Sequence, residues 1–385
     1  MTRPGPLEGL VVLDLTRVLS GPFATMLMAD LGARVIKVEP PQGDDSRGYG
    51  PFIDGSSLYF ARVNRGKESI CLDLKRPSER AVLLRMADAA DVLVENFRPG
   101  VMSRLELDYE TLRARNASLV YASISGFGQT GPWRLRPAYD TVVQASSGLM
   151  SVTGRPGEAA TKPGLPVADL AAGLYAFGGI LAAMHGRQAT GRGTYVDVAM
   201  HDSVVSLLEG AALSYLATGQ PPPKIGNAHY SIAPFDTYRC REGELVICAA
   251  NDALFGRLVS ALGLGALASD ARYRDNKSRH ENRNQLKVLI EAQLRAGSAT
   301  DWLRRLEAAE VPCGPVSDIA EAMDGEQTRH RQMVVEAGGL PVPGSPIKLS
   351  DWPEDGVREP APAFDFDGDR LRTEFGAGSS LGTLE

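Results

Sequence analysis

Cysteine is scarce and scattered. Four occur in 385 residues, Cys71, Cys240, Cys248 and Cys313, with no Cys-x-x-Cys pair and no Cys/His cluster. That excludes a structural zinc site or a disulfide framework as the organising device. Positive charge is not in excess: 41 Lys and Arg against 47 Asp and Glu leave a net charge of -6. Broad electrostatic binding of nucleic acid is therefore excluded, and a basic side chain at any site has to act locally. Met1–Leu10 carries no signal-peptide pattern. The longest uncharged run, Leu170–Met184, is too short and too broken by glycine to read as a membrane span. Neither G-x-G-x-x-G nor G-x-x-x-x-G-K-[ST] occurs, so a dinucleotide fingerprint and a Walker loop are both unsupported. The expectation is a soluble, cytoplasmic protein of two domains, without a metal.

Strand and helix patterns alternate through the first half. Apolar runs at Leu10–Leu15, Arg34–Val38, Ser69–Leu74, Asp91–Glu95 and Leu119–Ser125 read as strands of a parallel sheet. Helices are expected at Phe23–Leu31, Ser78–Ala89 and Tyr139–Leu149, and a further one over His201–Leu216. The fold class is thus α/β, a doubly wound large domain over 1–200. Glu39–Tyr59, with Asp44, Asp45 and Arg47, reads as a long loop, either functional or merely solvated. Residues 201–229 form a helix and a stiff linker, Gly219-Gln-Pro-Pro-Pro-Lys224. A strand pair around Arg241–Glu244 and charged amphipathic helices make 230–325 a small α+β domain. The Pro-rich tail, 326–385, is expected to return to the large domain.

Everything turns on Lys162–Met200. Leu170–Met184 carries no charge on any face and reads as a buried helix. Gly173, Gly178 and Gly179 each cost helix stability, so close approach of another backbone is the reason expected for them. Asp169 stands at the mouth of this helix among Pro166, Val167, Ala168 and Leu170. Asp there is ordinarily an N-cap. In apolar surroundings at the positive end of a helix dipole it is equally a candidate reactive carboxylate, kept ionised by the dipole.

Taken together and in order, the motifs resemble the class III coenzyme A transferases, the family of formyl-CoA and carnitine CoA-transferases. They are Val12-Leu-Asp-Leu-Thr-Arg-Val18 followed by Gly21-Pro22, Ala29–Glu39, Leu72-Asp-Leu-Lys75, Val94-Glu-Asn-Phe-Arg-Pro-Gly100, Tyr121–Gly128, the Asp169 segment, Thr190-Gly-Arg-Gly193 and Pro312-Cys-Gly-Pro315. The resemblance implies a Rossmann-like large domain, a small domain and a homodimer whose subunits are interlocked like chain links. It implies acyl-CoA and carboxylate substrates with no tightly bound cofactor.

By that resemblance Asp169 is the catalytic carboxylate, carrying CoA as an aspartyl thioester between a donor acyl-CoA and an acceptor acid. Val18, Ser20, Leu72, Lys75, Asn96, Phe97, Arg98 and Arg104 match CoA-contact positions, and Tyr139 a residue lining the reaction centre. For Lys75 and Arg104 alone, a solvated surface charge is the plain alternative; for Tyr139, a half-buried core tyrosine. The family's glycine-rich small-domain loop is replaced here by Gly226–Pro234. That points away from formyl or oxalate and toward succinyl-CoA with dicarboxylates, with His229 beside the acceptor or merely structural. The fold is shared with α-methylacyl-CoA racemases, which place a His before the Asp of the segment matching Tyr139-Asp140. Tyrosine, with an ordinary pKa near 10, is a poor base for that role.

Overall fold

Val11–Asp14 (β1), Arg34–Glu39 (β2), Lys67–Cys71 (β3), Val92–Glu95 (β4), Val120–Ser125 (β5) and Tyr195–Ala199 (β6) form one sheet. All its pairs are parallel, in the order β3-β2-β1-β4-β5-β6. Numbered along the chain this is the doubly wound order 3-2-1-4-5-6. The first five are the runs read as strands from their apolar content; β6, with Tyr195 and Asp197 exposed, carries no such run. Both faces of the sheet are covered, so Val12, Leu13, Ile36, Val92, Leu93, Val94 and Val120 have essentially no solvent exposure. The structure is a computed structural model and describes residues 5–376. The last part of the expected tail, 377–385, lies outside the described residues.

The chain divides into two compact units. The larger holds 1–150, 162–220 and 326–385; the smaller holds 151–161 and 221–325. The larger unit is therefore not continuous over 1–200: the segment Ser151–Thr161 is excised from it and belongs with the smaller unit. In the smaller unit, Phe235–Arg239, Glu244–Cys248 and Cys313–Pro315 make an antiparallel sheet. It packs on helices through Phe255, Leu258, Leu286, Ile290, Trp302 and Leu306.

Within the larger unit, helix α1 (Ser20–Asp30) follows β1 directly. It begins earlier than the Pro22 signal implied, because Ser20 and Gly21 take helical geometry ahead of the proline. Helix α2 spans Leu58–Asn64, α3 Asp140–Ser146 and α4 Val167–Thr190. Helix α4 lies against α1. A Cβ on Gly173 would stand 2.7 Å from the Ser20 carbonyl oxygen, so the close approach expected of this glycine is what it provides. Gly178 has no such neighbour.

One reading needs correction. The uncharged stretch Leu170–Met184 of α4 is not buried all round. Ala168, Ala172, Ala176 and Ile180 face the core, but Leu174 is 53% exposed and Tyr175 46%. The following helical stretch breaks at Leu208 into α5 (Met200–Leu207) and α6 (Glu209–Thr218). On α6, Leu213 and Leu216 are 65% and 79% exposed. An apolar surface of this kind on a single chain marks a place where something else packs.

The tail closes the open edge of the sheet. Helix α7 (Gly368–Glu374) puts Leu371, and Phe375 just beyond it, into the core. The N–H groups of Ser69 and Cys71 on edge strand β3 donate to Asp367 and Asp365 at 3.0 and 2.7 Å. Arg34 pairs with Glu374 at 2.6 Å. Covering an edge strand removes its unpaired backbone groups from competition.

Candidate active site

The strand order reverses between β1 and β4. The loops leaving these two strands part company and open a crevice at their carboxyl ends, where such sheets take ligands. The backbone of the β1 loop is clamped from several directions. Thr16 donates its N–H to Asp14 at 2.9 Å and accepts at its carbonyl from Lys37 Nζ, also at 2.9 Å. Asn96, from the β4 loop, accepts the Arg17 N–H at 2.9 Å and donates to the Arg17 carbonyl at 2.8 Å. The Val18 N–H donates to Asp44 at 3.1 Å. Val18 sits at φ 68°, a left-handed conformation costly for a β-branched residue. The clamps hold it there.

Buried charges carry those clamps. Lys67 pairs with Asp14 at 2.8 Å and Lys37 with Asp44 at 2.9 Å, all four side chains closed to solvent. Burial pushes the Asp14 carboxyl up, but Lys67 and Lys37 outweigh it and hold it far below its ordinary value. Burial takes Lys67 down to about 8, only partly offset by Asp14. Glu39 accepts from Arg47 at 2.6 Å and from the Asp44 N–H at 3.0 Å. The Glu39–Tyr59 segment is thus not a merely solvated loop, because its Asp44 is a buried brace for Val18. A lysine inside the apolar run Arg-Val-Ile-Lys-Val was the available signal.

Asp169 is the third residue of α4, one turn into the helix and not its cap. Asp140, at the start of α3, does the capping: its Oδ1 accepts the Ala168 N–H at 2.9 Å. Gln144 holds Asp140 from the other side with a 2.6 Å bond. Burial, reinforced by the Asp140 charge, pushes the Asp169 carboxyl up to about 7, while the Ser20 hydroxyl and Arg62 pull it down. This overturns the expectation of a carboxylate kept ionised by the helix dipole. Desolvation and a like charge both favour the protonated carboxyl.

A cleft of about 160 Å³ opens beside it, lined by Asp169, Val18, Ser20, Asn96, Phe97, Arg98 and Tyr139 among others. A second cavity, about 290 Å³, runs between the β1, β2 and β3 loops and takes in Leu72, Lys75 and Phe97. Phe97 and Arg17 line both. The candidate residues therefore collect around one crevice, except Arg104. It ends the short helix Val101–Arg104, exposed, and lines neither cavity. Tyr139 is 74% exposed, which rules out the core alternative. His229 lies in the smaller unit. Its Nδ1 accepts the N–H groups of Ser231 and Ile232, both at 3.1 Å, and its ring stacks on Tyr230, the bonding of a structural turn. Sequence reasoning missed Arg17, Arg134 and Arg136 in the first cleft. Isolated arginines carry no motif, so only the fold brings them together.

A family model described as CoA-transferase family III matches residues 7–368. An acetyl-CoA:oxalate CoA-transferase of Acetobacter aceti is 48% identical over 97% of this chain and 96% of its own length. A succinate–glutarate CoA-transferase of Agrobacterium fabrum is 40% identical over 91% of each chain. The crystal structure of a CaiB/BaiF family protein from Brucella suis superposes with a TM-score of 0.86 at 38% identity, covering 97% of this chain and all of that one.

Proposed function

The chain belongs to CoA-transferase family III, and from that premise we propose that it moves CoA from an acyl-CoA donor to a free carboxylic acid through Asp169. An Asp169 carboxylate oxygen attacks the donor thioester carbonyl. The C–S bond breaks, giving a mixed anhydride and CoA thiolate. The thiolate attacks the Asp169 carbonyl, releasing the donor acid and leaving an aspartyl-CoA thioester. The acceptor carboxylate then displaces the thiolate, and the thiolate takes the acyl group from this second anhydride, restoring Asp169. No proton, metal or tightly bound cofactor is consumed. Covalent exchange splits one hard step into easier ones.

The observation that carries this reading is the placement of Asp169: half-buried at the crevice of the strand-order reversal, with a continuous lining from it to Lys75. In this reading Val18, Ser20 and Asn96–Arg98 bracket the pantetheine arm, Leu72 the adenine, and Lys75 and Arg104 the phosphates. The acceptor class is the dicarboxylates. Oxalate returns to the candidates, against the doubt raised by the Gly226–Pro234 segment, because the oxalate relative is 48% identical and the glutarate one 40%. Succinyl-CoA and acetyl-CoA are the donors to try. The exposed apolar faces of α4 and α6 support an interlocked homodimer, and the proposed location is the cytoplasm. A racemase reading has no observation in its favour, since Tyr139 occupies the base position.

Incubation with acyl-CoA and no acceptor tests the mechanism. A CoA adduct on the Asp169 peptide, discharged by added acid to give a new thioester, is expected. An Asp169→Asn variant that transfers CoA normally would end the proposal.

A further inference from the structure

The last residue of β4 is a carboxylate buried without a counter-ion. Glu95 is 4% exposed. Among the described residues no cation stands within ion-pair distance of it, whereas the buried carboxylates around the β1 loop are paired: Asp14 with Lys67 at 2.8 Å, Asp44 with Lys37 at 2.9 Å. Burial pushes the Glu95 carboxyl up to about 7, against the Ser123 hydroxyl and the Phe97 N–H, which pull it down. An apolar residue would end a buried strand without that desolvation. What Glu95 does there is read from its bonds.

Its two oxygens are divided. Oε1 accepts from Ser123 Oγ on the neighbouring strand β5. Ser123 Oγ in turn accepts from the Tyr195 hydroxyl of β6 at 3.0 Å, and the Tyr195 ring stacks on Tyr109 with centroids 5.3 Å apart. Oε2 accepts the N–H of Phe97, two residues on, at 2.8 Å. The side chain thus ties the chain leaving β4 to the sheet beside it. Asn96, between the two, bonds the other way, to the Arg17 backbone. Phe97 is pinned as a result, and Phe97 lines both cavities of the crevice. A displaced Phe97 moves the wall that the two cavities share, and a wall held in place beforehand need not be ordered when ligand binds.

Resting on the CoA-transfer reading of this crevice, we propose that Glu95 is a positioning residue for acyl-CoA: through the Phe97 N–H it sets the Phe97 ring against which the CoA moiety packs. It touches no reacting atom. Its grip on Phe97 requires an acceptor oxygen and not a charge, so Gln can replace it and Leu cannot.

The experiment is calorimetric titration with CoA alone, together with steady-state transfer, on wild type, Glu95→Gln, Glu95→Leu, Ser123→Ala, Phe97→Ala and the doubles of Glu95→Leu and Ser123→Ala with Phe97→Ala. Glu95→Leu strips the acceptor from the Phe97 N–H and should raise Kd for CoA roughly fivefold to fiftyfold. KM for acyl-CoA should rise in parallel, with kcat within about twofold. Glu95→Gln should bind within about twofold of wild type. In the Phe97→Ala background the further effect of Glu95→Leu should shrink below about twofold, because the ring through which it acts is gone. An unchanged Kd in Glu95→Leu overturns the inference, and so does a loss of the same size with and without Phe97, or a kcat loss at constant KM. If Glu95→Leu fails to fold, Ser123→Ala decides, since it releases Oε1: a Kd that does not rise, or rises equally in the Phe97→Ala background, overturns the inference. Wild type that binds no CoA removes the reading of the crevice itself; wild type that binds CoA beside an unaltered Glu95→Leu removes only the role of Glu95.

Discussion

Replacing Asp169 by Asn should make the protein more stable in alkali while abolishing transfer. The carboxyl is moved from an ordinary 3.8 up to about 7 by burial and by Asp140. Below pH 4 native and unfolded forms both hold the proton. Between pH 4 and 7 the native form holds it and the unfolded form has lost it. Stability therefore falls as pH rises through that window and levels off above it. At about 1.4 kcal/mol per tenfold, the shift sets an upper bound of about 4 kcal/mol. The side chain is partly open to the cleft, so solvent screening lowers the expectation to about 1–3 kcal/mol.

Asn keeps the shape and cannot ionise, so it removes this term. At pH 5, about a third of the way through the window, the variant should lead wild type by only about a third of the full difference. At pH 8.5 its Tm should be higher, by at most about 2–4 °C per kcal/mol in a chain of this size. Differential scanning at the two pH values reads the difference directly. A residue that mattered only for helix geometry would give a pH-independent change. Equal Tm differences at pH 5 and pH 8.5, or a variant less stable at pH 8.5, would refute the argument that Asp169 is charged at a cost.

The same titration should govern turnover: kcat/KM for acyl-CoA should rise through a single ionisation near pH 7, and a flat profile between pH 5.5 and 8.5 would mean that Asp169 is not the group that must ionise. Lys75→Ala should raise KM for acyl-CoA with little effect on kcat, because phosphate binding is shared by ground and transition states; an unchanged KM removes Lys75 from the site. Asn96→Ala deletes both bonds to the Arg17 backbone, and should cost about 1–2 kcal/mol in urea unfolding and weaken acyl-CoA binding together; stability loss with intact binding would show that the clamp does not shape the site. With a 2-methylacyl-CoA in deuterated water, no deuterium should enter the α-carbon, and rapid entry would restore the racemase reading.

What the sequence disclosed and what it hid follow from range. Strands β1 to β5 were legible because burial writes a mainly apolar run, while β6, with Tyr195 and Asp197 exposed, was not, and the crevice followed from the strand order once the resemblance fixed it. Asp169 was legible as an exception to local rules, a carboxylate in apolar company. Its protonation was not, because the term that dominates after burial is Asp140, distant in sequence and brought near only by α3 packing against α4. Sequence placed a dipole beside Asp169 and could not place a second carboxylate there. The exposed leucines of α4 and α6 obey the same logic: their hydrophobicity was plain in the sequence, but that a single chain leaves them uncovered is a statement about neighbours.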